Sequence, residues 1–317
     1  MYNFKQKKMN RTETKYSLNG IVPPMITPLL DTNKLDIEGV RNLVEHLIKG
    51  GVHGIFILGT TGEAQHLSND LKIALIKETC LAVNKRIPVL VGITDTSIIE
   101  SIKLSEIAEK YGATAVVAAP PYFFKLGYPE LEAYYKTLAD KSPLPLYLYN
   151  MPSHTKTMLD CELVLELSNH KNIIGLKDSS ANGVYFCDLL HQFRTRNDFD
   201  LFVGPEEMMA SVVLLGGSGG VSGGANVYPK IFVDLYKAAS KGDLNSTKEI
   251  QAKMMEVSSL LYGHGNYGSS YIKGIKTALE LKGICKGIMA VPFYEFNKAE
   301  VEKVKLAITK LDKLIEE

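Results

Sequence analysis

Tryptophan is absent from these 317 residues, and so is any apolar run of about 18 residues that could form a membrane helix. Excess charge is missing too. With 36 basic against 35 acidic residues, no field argues for nucleic acid as a partner. The four cysteines (Cys80, Cys161, Cys187, Cys285) are scattered without a C-x-x-C pair. They read as reduced thiols of a cytoplasmic protein, not as a disulfide framework. The seven histidines supply no H-x-H pair, which argues against a metal-dependent hydrolase. No apolar h-region of a signal follows the polar start "MYNFKQKKMNRTETKYSLN". Residues 1–19 therefore read as a flexible segment and not a secretory signal, with Met9 as a second candidate initiator.

What the chain does contain is alternation. Short apolar runs at 20–29, 54–59, 88–93, 115–120, 144–150, 173–178, 201–204 and 219–224 are bounded by turn residues. Helix-length stretches such as 36–49, 68–84, 97–111, 160–169 and 206–216 lie between them. Strands apolar throughout are those of a parallel sheet buried on both faces. Eight βα units predict an α/β fold, a closed (β/α)8 TIM barrel over 20–226. An open doubly wound sheet would call for G-x-G-x-x-G after its first strand, and "GIVPPM" has none. Residues 227–317 carry apolar positions at three- and four-residue spacing. They predict a C-terminal helical extension packed on the barrel within one domain, its last helix capped by Asn297.

Chemistry in such a barrel gathers where the strands end. The second strand ends in "GTTGE", the fifth in "YLYNMPSHT", the sixth in "GLKDSS", the seventh in "VGPEE". Lys177 closes a run otherwise fit for the core. Desolvation of an amine favours its uncharged form, which attacks a ketone and forms an imine that stabilises a neighbouring carbanion. The bland alternative is an ion pair with Asp178. Tyr149 is placed to shuttle protons, and Gly59, Thr60 and Thr61 offer N–H groups and hydroxyls to a carboxylate. Phosphate binding by "GGSGGVSGGAN" (216–226) lacks a cation within the tract.

The motifs "GTTGE" (59–63), "YNMPS" (149–153) and "GLKDSS" (175–180) resemble the dihydrodipicolinate synthase/N-acetylneuraminate lyase family of pyruvate-dependent class I aldolases. The resemblance runs from about residue 20 to the C-terminus. It implies an imine between Lys177 and pyruvate or another 2-keto acid, with no metal or cofactor. It gives Tyr149 the proton shuttle, Thr61 the carboxylate contact and Thr60 the relay hydroxyl. It gives Val221 a place in the pocket wall. Tyr122 would reach a neighbouring subunit's site, which implies a homo-oligomer, a dimer or a tetramer.

Departures from the family pattern bear on the second substrate. The synthases carry an arginine for aspartate semialdehyde where this chain has His154, and an imidazole is no bidentate fork. Glu206 and Glu207 stand where sialic acid lyases bind substrate hydroxyls, although first-turn acids are also favoured by a helix dipole. Ser179 and Ser222 are candidate hydroxyl donors, and Gly204 joins the expected substrate-binding set. The expectation is an aldolase or lyase of a 2-keto-3-deoxy sugar acid or sialic-acid-like substrate. The alternatives are a dehydratase using the same imine, dihydrodipicolinate synthase, and a non-catalytic keto-acid binder. Retention of both Lys177 and Tyr149 argues against the last.

Overall fold

The computed structural model describes residues 17–316, so most of the flexible start expected over 1–19 lies outside the described residues. Eight parallel strands form one sheet: β1 (Gly20–Ile21), β2 (Ile55–Ile57), β3 (Val89–Gly92), β4 (Ala115–Ala118), β5 (Leu146–Asn150), β6 (Ile173–Asp178), β7 (Asp200–Val203) and β8 (Gly219–Gly220). Each strand from β2 to β7 pairs with the next, and β8 also pairs with β1. The free edges meet through a parallel bridge between Pro24 and Phe56, so the sheet curls into a TIM barrel. Phe56 N–H donates to the Pro23 carbonyl, and Met25 N–H donates to the Phe56 carbonyl.

The first and last strands are shorter than the runs 20–29 and 219–224 suggest. Pro23 and Pro24 have no N–H to give a ladder, so pairing after Ile21 reduces to a bridge. Leu29–Asp31 turns back on Lys34–Leu35 as a small hairpin that the apolar run did not reveal. After Gly220 the glycine tract leaves the sheet and winds into a short 3-10 turn, Gly224–Asn226.

Around the sheet lie α1 (Ile37–Lys49), α2 (Asn69–Val83), α3 (Ile98–Lys110), α4 (Tyr128–Lys141), α5 (Cys161–Leu167), α6 (Gly183–Phe193) and α7 (Met209–Leu214). Side chains of Asp36, Ser68, Asp160 and Asn182 accept from the first-turn amides of α1, α2, α5 and α6. The chain ends in α8 (Pro229–Ser240), α9 (Leu244–Tyr262), α10 (Ser270–Leu281) and α11 (Lys298–Glu316). Asn297 caps α11 reciprocally: its Oδ1 accepts from Glu300 N–H, and Glu300 Oε2 accepts from Asn297 N–H. Among the described residues no helix is long and apolar enough to cross a membrane. All four cysteines are free thiols.

The interior of the barrel is packed by Phe56, Tyr147, Tyr149, Ile174, Phe202 and Val221. One irregularity decides how the site is built. Leu146 pairs with Ile173 but Tyr147 pairs with Gly175, so Ile174 is an extra residue in β6. Such a bulge reverses the in–out parity of the residues after it. As a result Lys177 sits in register with Tyr149 and on the same, inner face. Gly175 makes the bulge possible, since a Cβ there would lie 2.5 Å from the Tyr147 ring and 2.7 Å from the Asp200 carbonyl oxygen. Gly175→Ala is expected to destabilise the fold by about 2–3 kcal/mol, as overpacking against immobile atoms does. A fall in the urea midpoint checks this.

Candidate active site

Lys177 ends β6 with only 7% of its surface exposed. Its Nζ lies 4.0 Å from the centroid of the Tyr149 ring and 5.1 Å from that of Phe56. The expected alternative, an ion pair with Asp178, is not formed. Successive strand residues face opposite ways, and Asp178 is engaged elsewhere. Its Oδ1 accepts from Asn150 Nδ2 at 2.8 Å and its Oδ2 from Ser180 Oγ at 2.9 Å. The amine thus faces two aromatic rings and the barrel mouth.

Tyr149 is buried, and its hydroxyl is 3.2 Å from Thr60 Oγ1. Burial alone would make the phenol a weaker acid. The positive charge of Lys177, helped by hydrogen bonds with Thr60, Lys177 and Ser179, outweighs burial and holds the phenol below its ordinary value. Thr61 Oγ1 lies 3.4 Å from the Tyr271 hydroxyl. The residues flanking the loop's two ends, Leu58 and Glu63, adopt left-handed backbone (φ 57° and 56°), a conformation that costs energy in non-glycine residues and recurs at functional loops.

Tyr149, Thr60 and Tyr271 border a cavity of about 620 Å³; Lys177 lies behind the Tyr149 and Phe56 rings and, like Thr61, is not itself part of the lining. Gly59, Thr60, Tyr122, Tyr149 and His154 line it, as do Phe56, Thr94 and Ser153. Tyr122 is part of the cavity wall of its own chain. His154 Nδ1 is 3.0 Å from Ser153 Oγ. Burial, and then the charge of Lys177, hold its imidazole below the ordinary histidine value, so it is neutral at neutral pH. The helical extension does more than pack on the barrel, because Tyr267, Tyr271, Ile272 and Phe293 complete the wall. Their periodicity in the sequence signals helix packing and nothing of the cavity.

The extension is tied to the "GTTGE" loop by a buried ion pair. Glu63 and Lys276, on α10, both have fully buried side chains and bond directly. Glu63 Oε1 also accepts from Ala290 N–H at 2.8 Å, and Lys276 Nζ donates to the Ile288 carbonyl at 2.6 Å. Burial lowers the Lys276 ammonium's pKa despite its partner, so the pair is held at a cost.

The other expected residues fall into two groups. Val221 is in the barrel interior beside Tyr149 and Phe56. Gly204 leaves room for Ser179, whose Oγ would be 2.1 Å from a Cβ there. Ser222 is fully buried. Glu206 and Glu207 are not brought to the cavity. Glu206 Oε2 accepts from Gly224 N–H and its Oε1 from Tyr262, while Glu207 Oε1 accepts from Ser258 Oγ. Both are drawn towards α9, which supplies donors that a short acidic motif does not disclose.

Comparison with known proteins places the chain among relatives of similar sequence and fold. The profile of the Dihydrodipicolinate synthetase family matches residues 17–311. A probable 2-dehydro-3-deoxy-D-pentonate aldolase of Escherichia coli (strain K12) is 30% identical, covering 92% of this chain and 96% of that protein. The structure of dihydrodipicolinate synthase from Bacteroides thetaiotaomicron is 49% identical with a TM-score of 0.90, covering 92% of this chain and 98% of its own. A prophage protein of E. coli K12, solved in complex with pyruvate, is 29% identical with a TM-score of 0.87, covering 93% and 98%.

Removing one member of the Glu63–Lys276 pair, by Glu63→Gln or Lys276→Met, is expected to cost about 3–5 kcal/mol, because the remaining group is stranded. The double variant should recover most of that loss. A double-mutant cycle by urea unfolding measures both.

Proposed function

From the premise that this chain belongs to the dihydrodipicolinate synthetase family, we propose that it is a Schiff-base-forming class I lyase acting on a 2-keto-3-deoxy sugar acid. The observation that carries this reading is Lys177 set against the ring of Tyr149, whose hydroxyl meets Thr60 in the wall of a single cavity. The Lys177 amine attacks the 2-keto carbon, and the carbinolamine loses water to give an iminium. A base then takes the proton of the C4 hydroxyl, the C3–C4 bond breaks, and its electron pair moves into the iminium as an enamine. The aldehyde leaves. Protonation at C3 and hydrolysis return pyruvate and the amine. Tyr149, a phenol more acidic than usual, is suited to carry these protons, with Thr60 as its hydroxyl partner. Thr61 and the loop N–H groups would hold the keto acid's carboxylate.

Beyond these residues the lining offers hydrogen-bonding groups, Thr94, Ser153, Gln65 and an uncharged His154, and its carboxylate, Glu63, is paired with Lys276. Such groups suit a chain of hydroxyls better than a second carboxylate. The aldolase name of the E. coli relative supports the same substrate class. A second reading, condensation of pyruvate with aspartate semialdehyde, is supported by the 49% identity to the Bacteroides synthase structure. A homo-oligomer is also part of the proposal. Exposed Phe123 and Phe124 beside Tyr122 offer an apolar surface for a second copy.

Reduction with borohydride in the presence of pyruvate should trap an adduct on Lys177 by mass spectrometry, and Lys177→Ala should abolish it. Failure to trap any 2-keto acid on folded protein sinks the reading. Trapping of an intact sugar acid that loses water but releases no aldehyde would point to a dehydratase. Tyr149→Phe is expected to lower kcat by about 10²- to 10⁴-fold, the range for a positioned acid–base group. His154→Arg, which supplies a guanidinium fork, should shift preference towards the semialdehyde. A wild type that already prefers the semialdehyde selects the second reading.

A further inference from the structure

Glu206 lies outside the cavity, yet it touches two of the elements that build it. Its carboxyl group is buried, with 4% of the residue exposed. Oε2 accepts from Gly224 N–H at 2.9 Å, and Oε1 accepts from the Tyr262 hydroxyl at 2.8 Å. Gly224 belongs to the loop that leaves β8 just after Val221, and Val221 packs in the barrel interior with Tyr149. That loop is pressed against both groups: a Cβ on Gly224 would lie 3.1 Å from Glu206 Oε1 and 3.0 Å from the Tyr262 hydroxyl. Tyr262, the last residue of α9, meets Tyr271 edge-on with ring centroids 6.1 Å apart. Tyr271 in turn stands 3.4 Å from Thr61.

We propose that Glu206 is a positioning residue of the imine-forming site, clamping the β8 loop to Tyr262 and, through Tyr271, setting Thr61 for the keto acid's carboxylate. The inference rests on the Schiff-base reading above. Two acceptor oxygens are what the clamp needs, since Gly224 and Tyr262 each donate to one. Protonation replaces two charge-assisted bonds with weaker neutral ones, the Tyr262 hydroxyl accepting where it had donated, and loosens the clamp. Burial pushes the Glu206 carboxyl up to about 7; the hydrogen bonds from Gly224 and Tyr262 pull it down, and the charge of Glu207 pushes it further up. The titratable groups facing it are Glu207, on its own turn, and Tyr262, from α9. The β8 loop presents backbone N–H groups of Gly223 and Gly224. The clamp is therefore tight above neutral pH and loosens as pH falls through it.

The test is the rate of borohydride trapping of pyruvate by the full-length enzyme, followed across the neutral pH range. In wild type the rate should rise with pH about a midpoint near 7. Glu206→Gln, which offers one acceptor oxygen in place of two, should trap about tenfold more slowly and lose that rise. Tyr262→Phe removes a bond that favours the carboxylate and should move the midpoint up by about one pH unit. Glu207→Gln removes a like charge and should move it down by about half a unit. The opposite directions are diagnostic, because general damage to the fold would not produce them.

Circular dichroism identifies folded variants. Folded Glu206→Gln with an unchanged pH profile overturns the proposal. So does a rise in KM for the sugar acid with pyruvate trapping intact, which would make Glu206 a substrate contact. Absence of any adduct in wild type at every pH removes the Schiff-base reading itself, and is distinguishable from both.

Discussion

A carboxylate and an ammonium with no solvent contact, Glu63 against Lys276, hold the barrel and its helical extension in one register. Ions placed so deep must satisfy one another or be expelled, and here the remaining valences go to Ala290 and Ile288. Two stretches of chain, α10 and residues 288–290, are thereby fixed to the residue that closes the "GTTGE" loop. The left-handed backbone of Glu63 is tolerated because its side chain is over-determined in this way. Thr60 and Thr61, three and two residues earlier, inherit the position. So does Tyr271, which shares α10 with Lys276 and meets Thr61 at its hydroxyl.

The second constraint is the extra residue in β6. A regular strand that packs Ile174 inside would turn Lys177 to the outside, among the helices, where an amine has no keto acid to meet. The bulge at Ile174 corrects this, and Gly175 admits it by carrying no Cβ towards the Tyr147 ring. The chain thus combines an apolar strand with an inward-facing amine, which strict alternation would forbid.

These particulars mark what could be read from the sequence. Eight apolar runs divided by helical stretches were enough for the barrel, because parallel strands buried on both faces announce themselves by composition. Lys177, Tyr149 and Thr60 were legible because strand ends are where a barrel gathers polar groups, and the structure does bring them together. Pairing at β1 was overestimated, since the cost of Pro23 and Pro24 falls on backbone hydrogen bonds and not on hydropathy. Tyr271 escaped notice because a tyrosine on an amphipathic helix is ordinary core material until the helix's neighbour is known. Glu206 and Glu207 were given to substrate because they stand where sialic acid lyases carry an acidic pair. Their partners, Tyr262 and Ser258, lie more than fifty residues away, and no local pattern connects them.

Those partners also decide the electrical character of the site. Four carboxylates lie around it, and each is held by donors of the protein. Glu63 is bound to Lys276 and Ala290, Asp178 to Asn150 and Ser180, Glu206 to Gly224 and Tyr262, and Glu207 to Ser258. None of these four is left to repel an anion at the barrel mouth. His154 is uncharged at neutral pH, and Tyr149 has its acidity raised by the neighbouring lysine. The charge of Lys177 is felt at Tyr149 and His154 in the cavity wall, and a buried charge is screened less than an exposed one. An anionic keto acid is drawn towards the amine that attacks it, while the rest of the lining stays neutral enough to accept hydroxyls. One lysine set among satisfied carboxylates thus supplies the attraction as an ammonium and, once its proton is given up, the nucleophile as an amine.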